Sequence, residues 1–247
     1  MTKVDSYITR LQRWWSASGC IVCRDETPTA LCAACRQSLP WVSSACPRCA
    51  APLPTELSGV NCGECQSRPP AFDQTVAALE YVAPVDRLIH GLKYAGQLSN
   101  ASVLADLLTD RLTATGAMMP ECIIPMPLHR SRLHHRGYNQ ALEIARPLAC
   151  RLGIRIDSHI ARRTRDTPPQ TELDRAARRR NVRGAFAVSS AFRYEHVAIL
   201  DDVMTSGETA SALAKVLHGA GAVKISVWVC ARVTHGPNNK PPRQKTT

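Results

Sequence analysis

Residues 197–209, VAILDDVMTSGET, decide the fold of this chain. The four apolar residues 197–200 have the length and β-branched content of a strand that is buried on both faces. From Ala210 to Leu217 apolar residues recur at three- and four-residue steps, which predicts a helix that ends before Gly221. Residues 223–233 are strand-like again. The order strand, loop, helix, strand predicts an α/β fold with a parallel sheet.

The turn between this strand and helix is suited to a phosphate group. Asp201 and Asp202 follow the apolar run, at the carboxyl end of the predicted strand, where open α/β sheets bind their ligands. Residues 205–209, TSGET, then begin the helix. The free N–H groups and the positive dipole end of a helix start attract anions. We therefore expect a phosphate to bind beside two carboxylates.

The composition indicates a globular protein of one large or two smaller domains, with 247 residues of which 45% are hydrophobic. No apolar run approaches the ~20 residues that a membrane span needs. No signal-peptide pattern is visible at the N-terminus. We expect a cytoplasmic protein without a membrane span.

The positive charge is concentrated in one segment. The formal net charge is +11, and residues 127–184 contain fourteen arginines and no lysine against five acidic residues. Such a segment is either a solvated basic face or a site for phosphate-rich ligands or nucleic acid. Arginine favours the second interpretation, because its guanidinium group binds phosphate through two parallel hydrogen bonds.

Eight of the eleven cysteines form four Cys-x-x-Cys pairs before residue 66. In a cytoplasmic chain such spacing predicts metal binding. Zinc takes four tetrahedral ligands, and closed all-cysteine sites are structural. We predict two structural Zn²⁺ sites, while sequence-order and interleaved pairing both remain open. Sequence-order pairing gives the groups Cys20, Cys23, Cys32, Cys35 and Cys46, Cys49, Cys62, Cys65.

The remaining patterns divide the chain into regions. Residues 67–70, SRPP, interrupt regular structure and mark a boundary. We predict an amphipathic helix at 1–19, a double zinc ribbon at 20–70, an α/β domain at 71–236 and a disordered basic tail at 237–247. Within the α/β domain we predict strands at 75–81 and 121–126 and helices at 85–94, 99–112 and 141–152.

Two basic segments lie beside the predicted sheet. Residues 127–140 form a long loop between a buried strand and a helix, which predicts a second anion-binding corner. Residues 162–186 predict a mobile loop that covers a ligand. Lys93, before the Ala95-Gly96 break, is interpreted as a charge at a helix end in preference to a phosphate contact.

Three blocks resemble known families. Asp201-Asp202-Val203-Met204-Thr205-Ser206-Gly207-Glu208-Thr209 resembles the phosphoribosyl-diphosphate motif of type I phosphoribosyltransferases. The segments 124–128 (IPMPL) with 136–140 (RGYNQ), and 167–186 (TPPQTELDRAARRRNVRGAF), resemble the ComF family, which also has a Cys-x-x-Cys segment ahead of this domain. The resemblance implies an α/β, Rossmann-like type I phosphoribosyltransferase fold with a small N-terminal zinc-ribbon domain.

The resemblance also implies roles for individual residues. The acidic pair would bind the ribose hydroxyls as the catalytic residues, with Mg²⁺ accompanying the phosphorylated ligand. The implied residues are Asp201 and Asp202 (catalytic); Thr205, Ser206, Gly207, Glu208 and Thr209 (phosphoribosyl group); Pro127, Leu128, Arg136, Gly137, Asn139 and Gln140 (diphosphate); and Arg163, Thr167, Gln170 and Arg178 (flexible loop).

The functional expectation follows from this resemblance. It implies a phosphoribosyltransferase-like protein that binds phosphoribosyl diphosphate or a related phosphorylated ribose with Mg²⁺, and that is linked to DNA uptake and nucleotide metabolism. The alternative is a non-catalytic competence protein that binds single-stranded DNA and other DNA-uptake proteins. A third hypothesis is a zinc-containing scaffold. No residue pattern identifies an acceptor pocket.

Overall fold

A computed structural model of the chain describes residues 19–166, 182 and 184–234. The helix predicted at 1–19, apart from residue 19, and the tail predicted at 237–247 lie outside the described residues. By packing, the chain divides into two compact units, Met1–Pro40 and Trp41–Thr247. This division falls at residue 40, between the two groups of cysteines, and does not coincide with the boundary predicted near residue 70. The predicted domain boundary stays a prediction.

The described part of the first unit is a cysteine-rich turn followed by the short helix α1, Ala33–Ser38. Cys32 caps this helix, since its side chain accepts a hydrogen bond from the backbone N–H of Cys35. The backbone carbonyl of Cys20 accepts from Arg24, which closes a tight turn around the first Cys-x-x-Cys pair.

The second unit contains another cysteine-rich segment and then the α/β sheet. Its early elements are a 3-10 turn at Thr55–Leu57 and α2 at Gly63–Ser67. The helices that follow are α3 Val85–Tyr94, α4 Ser99–Ala114, α5 Arg130–Arg136, α6 Gln140–Leu152 and α7 Glu208–Gly219. The strands are β1 Gln74–Glu80, β2 Cys122–Pro125, β3 Arg155–Ile156, β4 Ala161–Arg163, β5 Phe186–Val188, β6 His196–Met204 and β7 Lys224–Arg232.

Within the described residues, five parallel strands form the main sheet in the order β1-β7-β6-β2-β3. The strand β6 lies at its centre, with Val197 opposite Ile225 of β7 and Cys122 of β2. Eight of the nine residues of β7 are buried, as a strand covered on both faces requires. The predicted parallel sheet is therefore confirmed, with the 197–209 stretch at its centre.

The structure differs from the sequence predictions at three places near the site. The strand β6 continues through Asp201 and Asp202 to Met204, because pairing with β7 persists as far as Met204 opposite Arg232. The predicted loop at 127–140 contains α5, which the side chain of His129 caps at its N-terminus. The predicted lid begins with β4, which pairs antiparallel with β5.

Candidate phosphate site

The phosphate turn, residues 205–207, joins β6 to α7. Gly207 has φ 77°, a left-handed conformation that favours glycine. A Cβ atom at this position would lie 3.4 Å from Sδ of Met204 and 3.4 Å from Cζ of Phe72, at the close end of ordinary van der Waals contact. Within the described residues, no side-chain hydrogen bond from the N-cap position caps the start of α7. The first N–H groups of this helix therefore lack a capping side chain at the place where the sequence predicts a phosphate.

Ser206 adds a second feature to the phosphate turn. Its Oγ atom is buried, and within the described residues it has no hydrogen-bond partner. A buried hydroxyl without a partner costs free energy unless a ligand or an ion completes it. The same turn borders a cavity of about 70 Å³ whose lining includes Asp201, Gly207 and Thr209. The phosphate turn thus opens onto a small polar cavity that Asp201 of the acidic pair also lines.

The two carboxylates of the acidic pair have different surroundings. The backbone N–H of Asp202 donates to Oδ1 of Asp201 over 2.9 Å. Asp202 is buried, and its Oδ2 lies 2.5 Å from Nζ of Lys93. Asp201 is only partly buried and borders the small cavity. One acid is therefore held in a buried ion pair, and the other faces the space beside the phosphate turn.

The pKa shifts follow this arrangement. Burial and the charge of Asp202 raise the pKa of Asp201 well above its usual value. Burial would also raise the pKa of Asp202, but the ammonium group of Lys93 outweighs it, and the pKa is lowered. Burial opposes the charge on Lys93, yet Asp202 raises the pKa of this ammonium group. The ion pair of Lys93 and Asp202 is thus stable, whereas negative charge on Asp201 is destabilised.

Lys93 is the residue whose role the sequence interpretation missed. It lies in the last turn of α3, as predicted, but its side chain reaches the acidic pair. The end of α3 also contacts the 127–140 segment, because the Tyr138 hydroxyl donates to the carbonyl of Leu92 and the Arg136 guanidinium lies 5.3 Å from the centre of the Tyr94 ring. Its position one residue before the predicted helix end did not distinguish a buried partner from solvent.

The predicted diphosphate residues surround the start of α6. Pro127 and Leu128 follow β2, whose last residue Pro125 pairs with Leu200 of β6. The backbone N–H of Met126 donates to the carbonyl of Leu200, so the chain leaves β2 beside the acidic pair. Residues 127 and 128 therefore emerge at the same edge of the sheet as the phosphate turn.

The polar members of this segment already have structural contacts. Asn139 caps α6 by accepting from Ala141 and Leu142, and its Nδ2 donates to the carbonyl of Met126. Arg136 donates to Oε1 of Gln140 over 2.5 Å. Gly137, with φ 83°, ends α5. The structure gives these three side chains and this glycine local roles in shaping the corner, whereas their contact with a diphosphate stays a prediction.

Of the predicted flexible-loop residues, only Arg163 lies in the described part of the chain. It is in β4, is buried, and places its guanidinium 5.6 Å from the centre of the Phe186 ring. Burial and the charge of Arg132 lower its pKa. Thr167, Gln170 and Arg178 lie outside the described residues. The role predicted for the loop remains untested by the geometry.

The eight predicted metal ligands form two groups in sequence order. In each group the four sulfur atoms lie within 4.8 Å of one another. The Sγ atoms of Cys23 and Cys32 are 3.8 Å apart, and those of Cys49 and Cys62 are 3.7 Å apart. Tetrahedral zinc with bonds of about 2.3 Å requires about 3.8 Å between sulfurs. Both groups therefore fit a structural Zn²⁺, and the pairing left open by the sequence is the sequential one.

In the second group, the thiol of Cys46 is prepared for ionisation. Burial alone would raise the pKa of Cys46, but N–H groups that donate to its sulfur lower it to about 7. The backbone N–H of Cys62 makes one of these bonds over 3.2 Å. Zinc binds the thiolate form, so these hydrogen bonds favour the ligating state.

Comparison with known proteins shows relatives along most of the chain. Residues 13–66 match the family model described as a double zinc ribbon domain. The chain is 34% identical to the DNA utilization protein YhgH of Escherichia coli O6:H1 over 222 residues, which are 86% of this chain and 96% of the relative. It is 33% identical over 226 residues to competence protein F of Haemophilus influenzae, with the same coverage. The chain belongs to the competence protein F and YhgH family.

Membership in the competence protein F and YhgH family agrees with the resemblance seen in the sequence. Together, the parallel sheet and the zinc-ribbon match confirm the predicted fold class, an α/β domain behind a small N-terminal zinc ribbon. All eight cysteines of the two groups lie within the segment that matches the zinc ribbon.

A solved structure shows a weaker likeness. The glutamine phosphoribosylpyrophosphate amidotransferase from B. subtilis is similar with a TM-score of 0.34 and 18% identity, over 53% of this chain and 26% of that protein. At this score the likeness supports no argument about function. Among the described residues, no helix is both long and apolar enough to cross a membrane.

Proposed function

We propose that this protein binds phosphoribosyl diphosphate, or a closely related phosphorylated ribose, together with Mg²⁺. The observation that carries the proposal is the continuity of Asp201 with the phosphate turn around one small cavity. Type I phosphoribosyltransferases combine these groups for one ligand, because a ribose 5-phosphate presents hydroxyls and a phosphate a few bonds apart. Binding of the donor is the part of phosphoribosyl transfer that these residues support.

The phosphate turn would hold the 5-phosphate. Among the described residues, the N-cap position Gly207 supplies no side-chain cap to α7, and the helix dipole favours an anion there. The buried Oγ of Ser206 lacks a partner in the described chain, and a phosphate oxygen would accept a hydrogen bond from it. Gly207 is favoured here because its left-handed φ of 77° is one that other residues rarely adopt.

The acidic pair would orient the ribose. Carboxylates accept hydrogen bonds from vicinal hydroxyls, and Asp201 faces the cavity where they would lie. Lys93 holds Asp202 in place and removes most of its negative charge from the site. This neutralisation limits the repulsion between the acidic pair and a ligand that carries several phosphate charges.

The residues present also fit a magnesium ion. Mg²⁺ prefers oxygen ligands and retains several waters, so one or two carboxylates with ligand phosphates are enough. Asp201 offers such an oxygen, and a cation would stabilise the ionised form that burial and Asp202 disfavour. Asp201 is therefore the residue that would hold the ion. When bound, Mg²⁺ supplies neutralisation of the negative charge on the diphosphate.

The diphosphate would lie toward residues 127–128. This segment leaves β2 directly beside β6, at the sheet edge that carries the phosphate turn. Arg136 belongs to the same basic segment, 127–140, and its guanidinium contacts Gln140 and Tyr94. We propose that the backbone at 127–128 and the charge of Arg136 together form this corner.

The site is tested by isothermal calorimetry of the full chain with phosphoribosyl diphosphate and Mg²⁺. Asp201→Asn is expected to weaken binding about 10- to 100-fold, the range for a lost hydrogen bond to a charged group. The matched control is Asp106→Asn. Asp106 lies on α4, is partly exposed and pairs with Arg151 of α6. Absence of binding by the unchanged protein, or equal binding by both variants, would refute the proposal.

The stability of the two asparagine variants distinguishes Asp201 from Asp202. Because folding raises the pKa of Asp201, its ionisation opposes folding above its unfolded pKa, and Asp201→Asn is expected to stabilise the protein at neutral pH. Asp202→Asn leaves the ammonium of Lys93 buried without its partner and is expected to destabilise it. Urea denaturation measures the free energy of unfolding, which is expected to rise in Asp201→Asn and to fall in Asp202→Asn.

A second candidate function is binding of single-stranded DNA in DNA uptake. Relatives named competence protein F and DNA utilization protein, and the arginine-rich segment 127–184, favour it. Several arginines of this segment are exposed, among them Arg130, Arg155 and Arg162. A phosphorylated-ribose site and a basic surface are compatible in one protein, since they involve different groups.

The salt dependence of binding tests this second function. A labelled single strand titrated at several salt concentrations gives a log–log slope of about −0.7 for each neutralised phosphate. Replacing Arg130, Arg155 and Arg162 together with glutamine is expected to reduce the slope by about 2, on the same scale. Arg87→Gln on α3 is the control, as it is exposed but lies outside the segment. An unchanged slope in the triple variant would contradict this role.

A further inference from the structure

The second cysteine group, Cys46, Cys49, Cys62 and Cys65, belongs to the same compact unit as the phosphate turn. We propose that this group, with its metal, positions the phosphate turn through two lines of contact, one through Arg232 and one through Phe72. The inference rests on the proposed function for its ligand, but the positioning itself is a property of the chain. It gives a zinc knuckle a role at the ligand site in addition to local stabilisation.

The first line of contact runs through Arg232, the last residue of β7. This side chain is buried, and its Nε donates to the carbonyl of Cys49 over 3.0 Å. Its Nη1 donates to the carbonyl of Met204 over 3.2 Å and to that of Thr205. A guanidinium is planar and rigid, so one group fixes the distance between the second cysteine group and the phosphate turn.

The second line of contact runs through Phe72. Nε of Arg48, between the ligands Cys46 and Cys49, donates to the carbonyl of Phe72 over 3.1 Å. The ring of Phe72 is fully buried and packs against Gly207, where an added Cβ would lie 3.4 Å away. The same knuckle is therefore joined to the last residue of the phosphate turn as well as to the first.

The contacts of the knuckle with β1 strengthen this second line. Oγ1 of Thr75 donates to the carbonyl of Arg48 over 2.7 Å, and its backbone N–H donates to the carbonyl of Pro47 over 3.0 Å. Thr75 is buried. The peptide between the first two ligands is consequently fixed on the edge of the sheet, so that its position depends on both the metal and β1.

The space between knuckle and turn is a cavity rather than packed side chains. It has a volume of about 620 Å³, and its lining includes Cys49 and Cys62 on one side and Ser206 and Gly207 on the other. In a close-packed protein interior, neighbouring side chains hold a segment in place on all sides. Here the phosphate turn borders open space, so its position depends more strongly on the contacts made by Arg232 and Phe72.

The metal is needed because it fixes the carbonyl that Arg232 binds. The turn after Cys49 is closed by the N–H of Ala50 donating to the carbonyl of Cys46, and Ala50 has φ 52°. A non-glycine residue in this conformation is strained relative to the right-handed region. Four ligands clasped on one ion hold this turn closed, and loss of the ion would allow Cys49 to move away from Arg232.

Hydrogen exchange of the full-length protein tests the proposal without any ligand. We compare amides 205–209 in Cys49→Ser with those in Cys23→Ser, which removes the equivalent ligand from the group in the other compact unit. Cys49→Ser is expected to speed exchange of these amides, with Cys23→Ser close to the unchanged protein. Arg232→Lys, which retains the charge but loses the fork, is expected to speed the same amides while both metals stay bound, as native mass spectrometry verifies.

Equal exchange of amides 205–209 in Arg232→Lys and the unchanged protein would overturn the inference, as would equal acceleration by both cysteine variants. If Cys49→Ser unfolds the unit, Arg232→Lys alone decides. Calorimetry with phosphoribosyl diphosphate and Mg²⁺ then adds the functional arm, with binding by Arg232→Lys expected to be about 10- to 100-fold weaker. If the unchanged protein fails to bind while the exchange result holds, the proposed function fails and the positioning role stands.

Discussion

The two cysteine groups have nearly the same local geometry. In each, the second and third sulfurs are adjacent, with 3.8 Å between Cys23 and Cys32 and 3.7 Å between Cys49 and Cys62. In each, the N–H of the third ligand donates to the sulfur of the first, over 3.5 Å from Cys32 and 3.2 Å from Cys62. The Cys-x-x-Cys spacing and the zinc coordination that it predicts are enough to account for the local geometry of both groups.

The difference lies in what the intervening chain contacts. Between Cys20 and Cys23 the residues are Ile21 and Val22, whereas Arg48 stands between Cys46 and Cys49. Arg48 and the carbonyl of Cys49 bind Phe72 and Arg232 of the α/β unit. Identical metal chemistry therefore has different structural consequences, because the backbone around one site is also part of the sheet's hydrogen-bond network.

The largest expected effect comes from removing two ligands at once. Cys46→Ser with Cys49→Ser is expected to lower the free energy of unfolding of the α/β unit by more than about 4 kcal/mol, the size typical of losing a structural metal. Cys20→Ser with Cys23→Ser is expected to leave the unfolding of that unit nearly unchanged. Thermal melting followed at 222 nm compares them, since most described helices lie in the α/β unit.

The zinc content of each double variant is its control. Native mass spectrometry is expected to show one zinc in each, so that the two proteins differ only in which site is lost. Similar melting curves for the two variants would mean that the second cysteine group supports the sheet no more than the first.

A single hydrogen bond gives an intermediate effect. Thr75→Val removes the bond from a buried hydroxyl to the carbonyl of Arg48 and is expected to destabilise the α/β unit by about 1 kcal/mol. Thr29→Val is the matched change at the first group, where the hydroxyl of Thr29 donates to the carbonyl of Leu31 over 2.8 Å but is exposed. Native-state hydrogen exchange in each unit measures both. Equal losses would show that burial of this bond does not matter.

The smallest effect concerns the residue after each first pair, which has a left-handed backbone in both groups. Arg24 has φ 70° and is exposed, so Arg24→Gly is expected to stabilise its turn by about 0.5 kcal/mol after the entropy cost of glycine. Ala50 has φ 52°, but its methyl group is buried, so that Ala50→Gly loses about as much as it gains. Exchange of the adjacent amides compares the two, and a clear gain at Ala50 would contradict this accounting.

Local patterns in the sequence predicted much of the fold. The helix predicted at 85–94 is Val85–Tyr94, and the strand predicted at 121–126 contains Cys122–Pro125. Both follow from short-range periodicity. The helix Arg130–Arg136 was missed because its sequence, RSRLHHR, has one large apolar residue and no amphipathic pattern. Gly137, a residue typical of helix ends, was the available signal for this helix.

Long-range contacts of the site were beyond the sequence interpretation. Lys93 lies more than one hundred residues from Asp202, and Arg232 lies far from Cys49. Nothing in local spacing specifies such pairs. A signal did exist for Arg232, because it ends the apolar run of residues 227–231, where a charge needs partners when the strand is buried. The acidic pair was found because its residues adjoin the helix start.

The order of the cysteine groups along the chain has a consequence for how the protein is made. The first group closes between residues 20 and 35, and the second between residues 46 and 65, so that both use short loops, whereas interleaved pairing would require longer ones. Synthesis proceeds from the N-terminus at about 5–20 residues per second, and the first four thiols are therefore synthesised, and leave the ribosome, before the last four. We expect chains that acquire zinc during translation to pair their ligands correctly more often than denatured chains given zinc afterwards, which mapping of metal-protected cysteines measures.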